Sequence, residues 1–403
     1  MKRSPLLAWL YVGFLTLSLS LSFFMATPSP QDDHFHYQKF IETLAHGHLD
    51  LSIPGFHGMN MLAVPWFWIT QSPMTQIHVQ IFSAILLPLL AFLMGRALWR
   101  SDWHAVVLSS VMAMMPFFMF GSLRGWMVST YFVLIFLTII LAARRSRWSW
   151  LPWGFAMISL PFAVALLPLM MAYAPASKKR DVWKYVDRYW HLAAALAIPF
   201  VYVVAQKIQV GHVVIGAHQD FSATNVWVGP ERLFLNAAHG VQMLLSVHNF
   251  YFPNPAITGQ GNMMHTSPLL IVLALVGFMS WKTFYEHRIF PLVCLLGAVI
   301  GIGLNVMIDH MDHFYMDTGV LMLVLASIPV LKRLPLMIPL VLGTLHFQWF
   351  YFYLAFGEVF KLGGWFFLTP IVVDACFLLY CFANIPMLKA ITREWMRGST
   401  LQP

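Results

Sequence analysis

The chain has 403 residues, of which 59% are hydrophobic and only 10% are charged, against roughly 25% charged in soluble domains. That excess of apolar side chains excludes a water-soluble fold built on one ordinary core. The net charge of +8 excludes little about fold and does not read as a nucleic-acid footprint, because the basic residues fall as flanks of apolar runs rather than as one patch.

The solvent this composition implies is a bilayer, whose hydrocarbon core of about 30 Å takes about 17 to 25 apolar helical residues to cross. Taken in chain order, such runs predict spans at 6–26, 75–97, 104–121, 126–143, 149–160, 162–175, 190–206, 267–282, 289–308, 318–332, 335–356 and 364–384. The fold class is therefore an all-α integral membrane protein, a polytopic helical bundle of about twelve transmembrane helices in a single domain over 1–403. Lys2 and Arg3 flank the first run as in a signal peptide, but its spanning length and the lack of a small-x-small cleavage site make it a signal anchor. The run 149–175 has Arg144, Arg145 and Arg147 at one end and Lys178, Lys179 and Arg180 at the other. Splitting it at Ser159 and Pro161 into two short helices keeps both clusters cytoplasmic, as the positive-inside rule prefers.

With both termini cytoplasmic, Lys39, Arg124, Lys207, Arg232 and Lys361 are the five of 24 Lys and Arg that face outward, while ten of the 16 acids do so. The basic excess is thus an orientation signal, placing the chain in a cell (cytoplasmic) membrane with no nucleic acid among its partners. Two outer loops are long, 27–74 and 207–266, and a third, 309–317, is short and dense in Asp and His. The inner connections are mostly brief and basic, so chemistry is sought outside. The cysteines Cys294, Cys376 and Cys381 all fall in apolar runs, which leaves the outer loops without a disulfide framework.

The first outer loop opens TPSPQDDHFHYQKFIETLAHGH. Ser29 is placed to cap a helix, Pro30 suits its first position, and Gly47 suits its stop. Tyr37, Phe40, Ile41 and Leu44 form an i, i+3, i+4, i+7 stripe with Asp33 on it, so an amphipathic helix at the membrane interface is predicted. Acids in a first turn also meet the helix dipole, worth about 0.3–1 kcal/mol, and that alone accounts for many such residues. The apolar, Pro-punctuated stretch that follows is too irregular for a span and reads as a structured interfacial loop.

In its order of elements the chain resembles the GT-C superfamily of glycosyltransferases, especially the protein O-mannosyltransferases and the bacterial aminoarabinose transferases. The resemblance rests on one span, then the pair Asp32 and Asp33, then Tyr37, Leu44 with Gly47, and Pro54 with Gly55. A second likeness is GFAMISLPFAVALLPLMMAY at 154–173, similar to the paired short helices of that superfamily, with Leu160 and Pro161 at a turn where members carry a lysine. The resemblance covers roughly the first 175 residues and the remainder in topology only. It implies a sugar donor on a polyprenyl or dolichyl phosphate, a glycan, lipid or protein acceptor, and Asp32 or Asp33 as base or metal-coordinating carboxylate. Tyr37 and His57 join the substrate side.

Transfer from a lipid phosphate also needs cationic donors at the departing phosphate. Arg124 in GSLRGW and Arg232 in VGPERLF are the outward arginines for that role, each equally suited to anchoring at lipid headgroups. Thirteen of the 17 histidines fall in or beside outer loops; DDHFH at 32–36 and DHMDH at 309–313 offer Asp33 and His36 as ligands for a divalent metal cation. Asp309, Asp312 and His313 otherwise line the acceptor side. The alternative classes are a polysaccharide polymerase or ligase, which places its essential residues in 207–266, and a multi-pass transporter, which needs ionisable groups at mid-membrane depth, where this sequence has Asp374 and His346.

Overall fold

The computed structural model describes residues 6–30, 32–53, 57–175, 182–211, 229–245, 267–307 and 317–383; for nine residues inside its helices, among them Asp32, Asp33, Arg232 and Asp317, it describes the backbone alone. Every regular element among the described residues is helical. In chain order the α-helices of six residues or more are α1 (Leu6–Met25), α2 (Asp32–Ala45), α3 (Asn60–Thr70), α4 (Thr75–Trp99), α5 (Asp102–Ala113), α6 (Pro116–Arg124), α7 (Val128–Ala143), α8 (Trp150–Ser159), α9 (Leu167–Ala172), α10 (Val182–Val210), α11 (Pro230–Leu245), α12 (Pro268–Met279), α13 (Ile289–Val306), α14 (Asp317–Arg333), α15 (Met337–Phe356) and α16 (Leu368–Ala383).

Among the described residues, five helical stretches are long and apolar enough to cross a membrane: α1, α4, α10, α13, and α16 with the 3-10 turn that precedes it. A sixth crossing arises if α5 and α6, bent by 47° at their junction, count as one broken span. Three further apolar runs form shorter helices, α7, α12 and the 161–172 segment, while α15 has 20 residues but is not among the helices apolar enough to cross. Only 11% of the apolar window of α10 is buried inside the protein. Phe200, Val201 and Ile208 stand in the open on it. A helix that is apolar on its outward face as well as its inward one has hydrocarbon, not water, as its solvent.

The packed centre is α4, α5 and α7, where α5 is buried from Trp103 to Ala113. Gly95 lets α4 close on α5: a Cβ there would lie 2.6 Å from the Ala105 Cα. A second packed group is α12, α13 and α14. Small residues allow that approach, as bilayer helices require when no hydrophobic effect draws them together; Gly301 lies so close to Gly319 that a Cβ would meet its backbone nitrogen at 2.8 Å. Polar side chains stitch the helices, with Ser83 hydrogen-bonded to Thr130 (3.0 Å) and Ser109 donating to the Pro88 carbonyl (2.8 Å).

The expected 104–121 span is interrupted. Met114 and Met115 leave the helix before Pro116, and the Met114 carbonyl freed there accepts from the Trp349 indole (2.7 Å). The 149–175 run divides as the sequence suggests, at Leu160, which is extended (φ −151°) between α8 and a 3-10 stretch at Pro161–Leu166. The Trp153 indole donates to the Ala163 carbonyl (2.8 Å), folding the two halves together. Arg147 pairs with Asp187 at the start of α10 (3.1 Å), so both ends of the hairpin lie at one end of the bundle. The second half is shorter and tighter than the helix expected at 162–175.

Two further differences concern the first outer loop. Helix α2 begins at Asp32, beyond Ser29 and Pro30, so Ser29 is not its cap; its N–H instead reaches the Leu123 carbonyl (2.9 Å). The apolar stretch that follows, expected to be irregular, contains the helix α3 with Pro65 inside it. At the other end of α2 the stop is as expected: Gly47 is left-handed (φ +86°) and donates to the Leu44 carbonyl (2.9 Å). The three cysteines are free.

Candidate active site

The α2 stripe is buried, but against protein. Ile41 packs with Ala63, Val64 and Phe67 of α3, while Phe40 packs with Leu51, Ile53 and the α10 residues Tyr202 and Ala205. Gln209 near the end of α10 accepts from the Leu51 N–H (3.0 Å) and donates to the Leu49 carbonyl (2.8 Å). Exposed apolar side chains of this loop are Phe35 on α2, Leu49 in the turn after it, and Leu62, Trp66, Trp68 and Ile69 on α3. The end of α10 thus braces the turn that follows α2.

Between α1 and α2 the chain is strapped to the bundle. Thr27 N–H donates to the Phe360 carbonyl (2.9 Å) and Ser29 N–H to Leu123 (2.9 Å). Five residues on, His34 lies against Gly125, which is left-handed (φ +79°) at the end of α6; a Cβ on that glycine would come within 2.8 Å of the His34 Cβ and Nδ1. Gln76 of α4 reaches the Gly125 carbonyl (3.4 Å), and its own N–H donates to Gln38 of α2 (3.1 Å). Asp32 and Asp33, the first two residues of α2, therefore stand next along the backbone to a side chain in contact with the α6 terminus.

Arg124 is the residue before that glycine. Its guanidinium carbon lies 5.5 Å from the Phe120 ring centre and 5.4 Å from that of Phe360, and its Nε is buried with no hydrogen-bond partner among the described residues. A half-buried cation backed by aromatic faces, with a donor still unmet, is a ready receptor for an anionic oxygen. His34 is buried, and burial holds its imidazole below the usual histidine range despite a bond to the Pro73 carbonyl. Nδ1 has no partner. The Pro73 bond therefore comes from Nε2–H, leaving the Nδ1 lone pair beside Gly125. His34 was one of many histidines in the sequence; its adjacency to the acid pair was the only signal that separated it.

The other expected site residues fall differently. Tyr37, one turn into α2, is buried with its ring 6.4 Å from that of His57. His57 has no exposed surface, stacks on Phe40 at 3.8 Å and bonds the Ile53 carbonyl through Nε2 (2.7 Å); burial lowers its pKa to about 4. It braces the loop from within rather than facing an opening. The next residue, Gly58, touches the tip of the α8 hairpin, where a Cβ would lie 2.5 Å from Ile158. His36 is half-buried on α2. Arg232 is the third residue of α11, its side chain beyond description; α11 packs on α12 and α13, and Asn236 donates to the Val306 carbonyl (3.0 Å). Arg232 thus rests beside the 306 end rather than on the strap that carries Arg124.

Asp309, Asp312 and His313 lie outside the described residues. The segment that bears them returns at Thr318, which is hydrogen-bonded to Tyr131 in the first turn of α7. Among the described residues no three His, Cys, Asp or Glu side chains converge as a metal site, and of the two ligands expected from the first loop only His36 has a described side chain. The mid-span pair His346 and Asp374 bond to each other (2.8 Å).

No family model, curated protein or solved structure matches this chain. Whatever the site does must be argued from its own chemistry. The arrangement is a helix that begins with two acidic residues, a buried imidazole that follows them and touches Gly125, and, one residue before that glycine, an aromatic-backed arginine.

Proposed function

We propose that the chain is a glycosyltransferase of GT-C type, moving a sugar from a polyprenyl or dolichyl phosphate to a hydroxyl acceptor on the non-cytoplasmic face of a cell membrane. In this reading the chain crosses the bilayer about twelve times with both termini cytoplasmic, and the acceptor is a glycan, lipid or protein. The observation that carries it is the strap from Thr27 to His34, which ties the start of α2 to the residues flanking Arg124.

The chemistry asks for these partners. As the anomeric carbon leaves the lipid phosphate, negative charge grows on the phosphate oxygens, and a preorganised arginine whose Nε has no competing acceptor stabilises it most when water is excluded. The attacking hydroxyl must lose a proton to a nearby base, the part assigned to Asp32 or Asp33. The α2 dipole favours their ionised form. A donor anchored in lipid reaches such a site without leaving the bilayer, and the exposed Trp66, Trp68 and Ile69 of α3 support a contact of this loop with the membrane interface. A divalent cation on Asp33 and His36 would add electrostatic help, and full turnover after thorough chelation would remove it.

A polymerase or ligase would instead depend on residues within 207–266. The test is separate Asp32→Asn and Asp33→Asn substitution with transfer assayed from a lipid-phosphate sugar. Loss in at least one is expected; full activity in both would overturn the assignment.

A further inference from the structure

The opposite end of the bundle carries a second feature, independent of the proposed transferase site. Helix α4, 25 residues long, runs from Thr75, beside the strap, to Trp99, roughly 37 Å at 1.5 Å per residue. Around Trp99 the ends of α4, α7 and α14, the start of α5 and the loop before α13 enclose a cavity of about 670 Å³. Four cations line it, Arg100, Arg145, Lys332 and Arg333, against one carboxylate, Glu286. None of the four is ion-paired among the described residues, whereas nearby Arg96 and Arg147 are paired, with Asp102 (3.1 Å) and Asp187 (3.1 Å).

Basic residues at this end of a membrane bundle are ordinary, and most reach out to headgroups or water. Three observations set these apart. First, the wall holds two buried nitrogens without partners, Trp99 Nε1 and His104 Nδ1, on rings stacked 5.3 Å apart. An indole N–H can only donate, and leaving it unmet costs about 1–3 kcal/mol. Second, His104 is 6% exposed and faces the cavity, so no bulk water reaches its nitrogen freely. Third, Arg100 (φ 50°) and Arg145 (φ 54°) are two of the four left-handed non-glycine residues among the described ones, and both line this cavity. Such strain gathers where a side chain is held for a ligand.

We propose that this cavity binds a phosphate group, carried either by the headgroup of an anionic lipid or by a soluble phosphate. Several cations with one opposing carboxylate suit a singly or doubly charged phosphate, which accepts from guanidinium forks and from an indole N–H alike.

To test it, the full-length chain is delipidated and placed in nanodiscs of phosphatidylglycerol or of phosphatidylcholine. Retained lipid is counted by native mass spectrometry after mild extraction, and inorganic phosphate is titrated into the phosphatidylcholine discs by calorimetry. The expected result is a retained phosphatidylglycerol adduct, saturable phosphate binding, or both. The paired change Arg145→Gln and Lys332→Gln should weaken it at least about tenfold. Trp99→Phe keeps the ring and every charge while removing the N–H, and should weaken it severalfold. Retention of the lipid alone assigns the site to a headgroup; binding of inorganic phosphate assigns it to a soluble phosphate. Absence of both, phosphatidylcholine held as well as phosphatidylglycerol without phosphate binding, or equal binding by wild type and the variants would overturn the proposal.

Discussion

Gly125→Ala is the sharpest probe of the strap. Gly125 and Gly47 are both left-handed, with φ of +79° and +86°. An alanine Cβ at 47 would meet nothing within 4 Å, whereas at 125 it would meet His34 at 2.8 Å. Gly47→Ala should therefore cost only the left-handed backbone penalty, about 1 kcal/mol. Gly125→Ala carries the same penalty plus an overpacking term of about 1–3 kcal/mol, for a total of about 2–4 kcal/mol. Restoring an ordinary contact of 3.4 Å means moving His34, and the start of α2 with it, by about 0.6 Å. Since roughly 1 Å of misplacement can cost about a hundredfold in rate, a loss of about tenfold in transfer is expected for Gly125→Ala and little for Gly47→Ala. The measurements are equilibrium unfolding in mixed micelles and transfer from a lipid-phosphate sugar. Equal stability and equal turnover for the two variants would refute the idea that the strap sets the site.

Other substitutions probe separate parts. Arg124→Lys keeps the charge but loses the planar fork, so kcat should fall about tenfold or more while folding is retained; an unchanged kcat would remove Arg124 from the phosphate side. Trp349→Phe strips the Met114 carbonyl of its partner and should cost about 1–3 kcal/mol in unfolding measurements, against nothing if the α5 to α6 break is satisfied otherwise. Gln209→Ala removes two bonds to the 49–51 turn and should speed proteolysis of the first loop without altering α10 itself. His57 has a folded pKa lowered from 6.5 to about 4, so the unfolded chain binds the extra proton first; stability contributed by the neutral ring is complete above about pH 6.5 and is lost as pH falls toward 4, by at most about 3 kcal/mol. His57→Phe should flatten that slope, and a slope left intact would show that other groups produce it.

Much of the chain was legible because its determinants are local. Apolar runs announced α1, α4, α13 and α16 nearly to their ends, since a helix in hydrocarbon must satisfy every backbone group internally and needs length and composition alone. The division at Leu160 followed from two basic clusters that had to share one side, and the Arg147 to Asp187 pair agrees with it. Gly47 marked the end of α2 because a left-handed stop favours a residue without a Cβ.

What the sequence left open depends on partners distant along the chain. Ser29 has the chemistry of a cap, but α2 starts only at Asp32, and the Ser29 N–H is bonded to Leu123, nearly a hundred residues away. Pro65 disguised α3, whose helix is held by Ile41 packing on Ala63 and Phe67. The stripe of α2 promised contact with lipid, and in the fold Ile41 and Phe40 pack instead on α3 and α10. Nor does any local pattern distinguish Arg124 from Arg232, or Arg145 from Arg144: a guanidinium becomes a receptor for phosphate only when packing strips away its water and its competing partners, and packing is decided by the whole chain.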